Sequence, residues 1–159
     1  EDPQMMLKTA SQIHFDHIER GFPDQQRDHV AVSDRELVDL MGSMIAFGVW
    51  RLELETGHVF WSEDASRIHG MEPSCGPVSL SRIMESYHPE DAVVVQELLG
   101  AASTGQKSFR FVMRVKNNNR DGHRLIAVAG RYRADNGGEL IGYCHEYQDM
   151  VRAVLIAGE

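Results

Sequence analysis

Residues 61–71 read WSEDASRIHGM, an aromatic residue followed by a serine, two acids, two apolar positions and a glycine. Ser62 is a preferred helix cap, Glu63 and Asp64 suit the positive end of a helix dipole, and Gly70 supplies a left-handed exit. The stretch therefore predicts one short helix with Ala65 and Ile68 facing inward. What it belongs to is decided by its neighbours.

Immediately upstream, GVWRLEL sets Val49, Arg51 and Glu53 against Trp50, Leu52 and Leu54. ETGH then makes a turn and VFW resumes extended structure, so a two-stranded hairpin precedes the helix. Downstream, SLSRIMESY puts Leu80, Ile83, Met84 and Tyr87 on one face of a second short helix. A longer helix opens at HPED, with Pro89 in its first turn and a stop near Gly105. The last third changes period. KSFRFVMRVK alternates Phe109, Phe111, Met113 and Val115 with mostly basic partners, NNNRDG is a turn, HRLIAVAGRYR a strand, DNGG a turn and ELIGYCHEY the final strand.

Before the hairpin, Ser33 and Glu36 have the spacing of a capping box. The helix that follows carries an apolar stripe of Leu37, Leu40, Met41, Met44 and Ile45, with Gly48 marking its exit. A further amphipathic helix is predicted between Pro3 and Gly21, with Met6, Ala10, Ile13 and His17 on one face, and residues 22–32 read as a linker.

The chain has 159 residues, 42% of them apolar, enough for one ordinary core. Its formal charge of -8 argues against nucleic acid and against anionic membrane surfaces. Cys75 and Cys144 belong to no C-x-x-C pair, which fits a reducing, cytoplasmic setting. No apolar run approaches the roughly 18 residues of a membrane span, and the acidic start EDPQMM lacks a signal peptide's basic region. The apolar end VRAVLIAGE suggests a segment of a longer protein.

Five stretches in register resemble the PAS family: GVWRLELETGHVFWS, WSEDASRIHG, HPED at 88–91, RDG at 120–122 and GYCHEYQDM at 142–150. Two positions depart from the family pattern: Met150 and Val151 follow Asp149, and Leu125 stands where tryptophan is common. The resemblance implies an α+β PAS fold, a five-stranded antiparallel sheet with short helices on one face, preceded by flanking helices. It divides the chain into an N-terminal helix and linker (1–32), a PAS domain with its preceding amphipathic helix (33–149) and the start of a connector (150–159).

In such a fold the short helices form one wall of a pocket and the sheet the other. Trp50, Trp61, Ile68, Met84, Phe111 and Met113 are the side chains expected to approach that space, with Ala127, Ala129 and Gly142 leaving room. The same residues also suit a solid core, and both readings stay open. The asparagine-cysteine-arginine motif of flavin-binding light sensors is missing, with Cys75 in the loop EPSCGP. The longer helix offers no histidine to a haem, and His88 reads as the first residue of the HPED turn, so neither cofactor is supported. His14 and His17 stand three apart, a spacing that can serve zinc, but Asp16 points elsewhere and surface histidines are the preferred reading. No G-x-S-x-G, phosphate loop or H-E-x-x-H occurs, so no enzyme is expected in this segment.

The functional expectation is a sensory and dimerisation module that relays a small-molecule ligand or partner state to an effector in the same chain, such as a histidine kinase or cyclic-dinucleotide enzyme. The stripe of Leu37, Leu40, Met41, Met44 and Ile45 is the expected homodimer helix. A ligand-free interaction scaffold is the alternative, and a metal-binding regulator using His14 and His17 a more distant one.

Overall fold

The computed structural model describes residues 13, 25–117, 122–147, 152–154, 156 and 158. The predicted first helix, with His14 and His17, lies outside the described residues apart from Ile13. Arg120 and Asp121 of the RDG turn and the exit around Asp149 lie outside them too.

Helix α1 (Asp34–Met44) begins at the predicted capping box: Ser33 Oγ accepts from the Glu36 amide at 3.0 Å, and Glu36 Oε1 accepts from the Ser33 amide at 3.1 Å. It ends at Met44, and Gly48 belongs to the next strand instead of marking the exit. The reason is steric. A Cβ on Gly48 would stand 2.4 Å from Ala65 Cα, so only glycine lets the strand approach the short helix that closely.

Strands β1 (Phe47–Glu53) and β2 (His58–Trp61) form the hairpin, turning through Gly57 at φ 72°. Helices α2 (Glu63–Ile68), α3 (Leu80–Met84) and α4 (Pro89–Gly105) follow, with a two-residue strand β3 (Val78–Ser79) between the first two. Strands β4 (Phe109–Lys116), β5 (His123–Arg133) and β6 (Glu139–Glu146) complete an antiparallel sheet in the order β3-β2-β1-β6-β5-β4. The sheet has six strands where five were expected, because β3 pairs with β2 through His58–Ser79 and Val59–Val78. A pair that short carries no readable periodicity.

Ser62 stands at the start of α2 but caps no helix amide. Its Oγ accepts from the Val49 amide at 3.0 Å while its own amide donates to Val49 O at 2.9 Å, so it fastens the helix to β1. At the other end of the sheet, the exposed edge of β4 is covered by the HPED segment. His88 N–H donates to Arg114 O, Lys116 N–H to Ser86 O, and Asp91 Oδ2 accepts from the Arg114 amide at 2.7 Å. Asp91 also holds the Arg114 guanidinium through both carboxylate oxygens, at 3.1 and 2.7 Å. An edge closed in this way offers no template for pairing with another chain.

The core lies between the sheet and α2–α4, and its most deeply buried large residues include Ile126, Leu140, Val95 and Val115. By contrast α1 buries no residue, and Leu40, Met41, Met44 and Ile45 are all exposed.

Candidate ligand cavity

Directly opposed residues of antiparallel strands share a face. One row across the sheet therefore runs Trp61, Trp50, Gly142, Gly130, Phe109 on the side of the helices. The Trp50 indole crosses the two glycines: a Cβ on Gly142 would lie 2.6 Å from its Cζ2, and one on Gly130 2.7 Å from its Cη2. Gly142 thus does make room, but the Trp50 ring occupies it. The indole is fixed there by its Nε1–H, which donates to Tyr143 O at 3.2 Å, and it reaches the Phe109 ring at 6.0 Å.

A cavity of about 50 Å³ remains beside this row, between the sheet and helices α3 and α4. Of the residues expected near that space, Trp50, Trp61, Met84 and Phe111 line it. Ile68 and Met113 are buried in the core but do not line it. Ala127 and Ala129 are on the opposite side of the sheet, because they pair with His145 and Tyr143 in the register that also carries Phe47 and Val49 outward. Alternation predicted which residues share a face within HRLIAVAGRYR but not which of the two faces turns inward, and Ile126 and Val128 take that place.

His69 and Tyr87 were not among the expected pocket residues, and both line the cavity. His69 lies four positions after Ala65, on the inward face of α2, so the helical spacing carried a signal that the exit glycine beside it masked. His69 Nδ1 lies 2.8 Å from Ala65 O, which can only accept, so that nitrogen carries the proton. Nε2 is then an acceptor for the Tyr87 hydroxyl at 3.0 Å. Burial pushes the imidazole down to about 4, against the opposing hydrogen bond to Ala65. Burial likewise raises the Tyr87 phenol above its ordinary range. The pair is therefore neutral, and the rest of the lining, including Leu52, Val59, Val95, Leu99 and Val128, is apolar.

Other residues considered from sequence have different settings. His88 Nδ1 accepts from the Glu90 amide at 3.1 Å and so caps α4, with its ring edge-on to His123. Cys75 is exposed in its loop. Cys144 is buried on the inner face, where burial pushes its thiol up to about 12 and keeps it protonated. Among the described residues no group of three or more His, Cys, Asp or Glu could hold a metal ion.

No protein-family model matches the sequence, and no match is found among curated proteins. Solved structures do match in fold. A sensory box histidine kinase/response regulator from Burkholderia thailandensis aligns over 69% of this chain and 82% of its own, at 20% identity and TM-score 0.55. A histidine kinase domain from Haloarcula marismortui aligns over 72% of this chain and 100% of its own, at 14% identity and TM-score 0.57. The N-terminal domain of a diguanylate cyclase with PAS/PAC sensor from Marinobacter aquaeolei aligns over 63% of this chain and 94% of its own, at 19% identity and TM-score 0.51. The chain has the PAS fold.

Proposed function

We propose that this chain is a sensory PAS module of a larger signalling protein, acting on an effector such as a histidine kinase or cyclic-dinucleotide enzyme in the same chain. The observation that carries the reading is the apolar cavity with its neutral His69–Tyr87 pair, walled on the helical side by the five-residue α3, by one face of α4 and by His69 at the C-terminal cap of the six-residue α2. Short elements shift at low cost, so an occupant that fits one arrangement better biases the whole set. The signalling proteins that share the fold support the direction of this reading. Dimerisation through the exposed stripe of α1 is the second half of the proposal: a contiguous apolar helix face left in water marks an interaction surface. We place the module in the cytoplasm; no helix among the described residues is long and apolar enough to cross a membrane.

Denaturing mass spectrometry of the purified protein tests the sensory half. A copurified small molecule supports it. A protein that releases nothing and gains no thermal stability from a library of small neutral compounds favours the ligand-free scaffold, a reading that the small size of the cavity, about 50 Å³, also supports. The metal-regulator alternative rests on His14 and His17, and a double alanine substitution that leaves zinc binding unchanged removes it.

A further inference from the structure

Trp61 Nε1–H is a buried donor with no acceptor among the described residues. Its ring lines the cavity and stands 4.9 Å from that of His69. The other nitrogens at the cavity wall are committed: the Trp50 indole donates to Tyr143 O, and both His69 nitrogens are engaged by Ala65 O and the Tyr87 hydroxyl. A buried N–H left unpaired is costly, whereas an occupant that accepts from it recovers the loss. One orphan donor in an otherwise apolar lining therefore defines what fits.

Three properties follow. No Lys, Arg, Asp or Glu lines the cavity, so a charged molecule would be desolvated there without a partner. The volume of about 50 Å³ falls well below the ~150 Å³ of an engineered cavity that holds benzene, so flavin- or haem-sized groups do not fit this arrangement. Some expansion is available, because Leu80 and Met84 sit on the five-residue helix α3 and methionine repacks readily. We propose that the cavity takes a small, uncharged, mainly apolar molecule with one oxygen acceptor, of carbonyl or ether type, that receives the Trp61 Nε1–H. This rests on the sensory reading above and names the chemistry of its ligand.

The chain has two tryptophans, so a nitrogen-15 spectrum shows two indole signals, of which that of Trp50 reports a donor already bound to Tyr143 O. The full chain is titrated separately with acetone, with its shape-matched hydrocarbon 2-methylpropene, and with acetate. Acetone should move the Trp61 signal saturably and farther than that of Trp50, and bind about five- to tenfold tighter than 2-methylpropene, the worth of one hydrogen bond. Acetate should not saturate. In Trp61→Phe the preference for acetone should vanish while 2-methylpropene still binds. Equal binding of acetone and the hydrocarbon to the unmodified chain, or saturation by acetate, overturns the acceptor chemistry and leaves a cavity that binds something else. If no probe shifts the methyl signals of Val95, Leu99 or Val128, the cavity is not a ligand site and the sensory reading goes with it. The comparison within the unmodified chain stands even if the variant folds poorly.

Discussion

At residue scale, the glycines show how sequence identity becomes geometry. Gly142 and Gly100 are alike as letters, yet a Cβ at Gly142 would lie 1.9 Å from Ala129 O and one at Gly100 meets nothing within 4 Å. Gly142→Ala should cost at least about 2 kcal/mol through backbone overlap and displacement of Trp50. Gly100→Ala, inside α4, should stabilise by about 0.5–1 kcal/mol, and chemical denaturation distinguishes the two. His69 gives a second residue-level expectation. Its ordinary value is 6.5 and its folded value about 4, so between those limits the unfolded chain takes up a proton that the folded chain refuses. Stability must then fall as pH drops from about 6.5 towards 4, by at most about 1.4 kcal/mol per pH unit. Glu36 and Glu139, held below 4.5 by hydrogen bonds from Ser33 and from Asn136 and Arg133 respectively, add their losses only at lower pH. Urea unfolding at pH 7.5, 6.5, 5.5 and 4.5 should show the slope in the unmodified chain and none in His69→Gln above pH 4.5. An identical slope in both would place the titrating group elsewhere.

At the scale of elements, HPED joins the longer helix to the sheet edge. Asp91 is 2% exposed; burial pushes its carboxyl up, but the hydrogen bonds and charge of Arg114 outweigh that and hold it below 3.8. Asp91→Asn should cost about 2–3 kcal/mol, since it weakens together a backbone bond and an ion pair whose carboxylate is buried although its guanidinium is about a third exposed. A double-mutant cycle with Arg114→Met should recover part of that loss. Full additivity would mean that the two side chains do not act as a pair. The capping box of α1 was legible as spacing because its bonds are local. Ser62 looked equally local, yet its hydroxyl serves β1, a partner thirteen residues away that no short-range pattern records.

For the whole molecule, the expected consequence of the exposed α1 stripe is self-association. Leu40 is 57% and Met44 62% exposed, so Leu40→Glu with Met44→Glu should leave the stability of the isolated fold nearly unchanged while turning a dimer into a monomer by light scattering. A monomeric mass for the unmodified chain removes the dimer proposal. The outer sheet face adds to the apolar surface in water, with Val49 and Tyr143 exposed beside Phe47.

What the sequence determined by itself was the order of the main helices and of the five longer strands, the α1 cap, the turn through ETGH and the left-handed exit at Gly70, since all of these depend on neighbours a few residues apart. Four of the nine expected pocket residues line the cavity for the same reason: they stand on the inward side of elements whose amphipathic sense was plain. Only the tertiary structure decided that Ala127 and Ala129 face outward, that the space above Gly142 belongs to Trp50, and that His69 and Tyr87 meet. Those facts follow from strand register and from contacts between residues up to 93 positions apart, which set which face is buried without leaving a periodic mark on the chain.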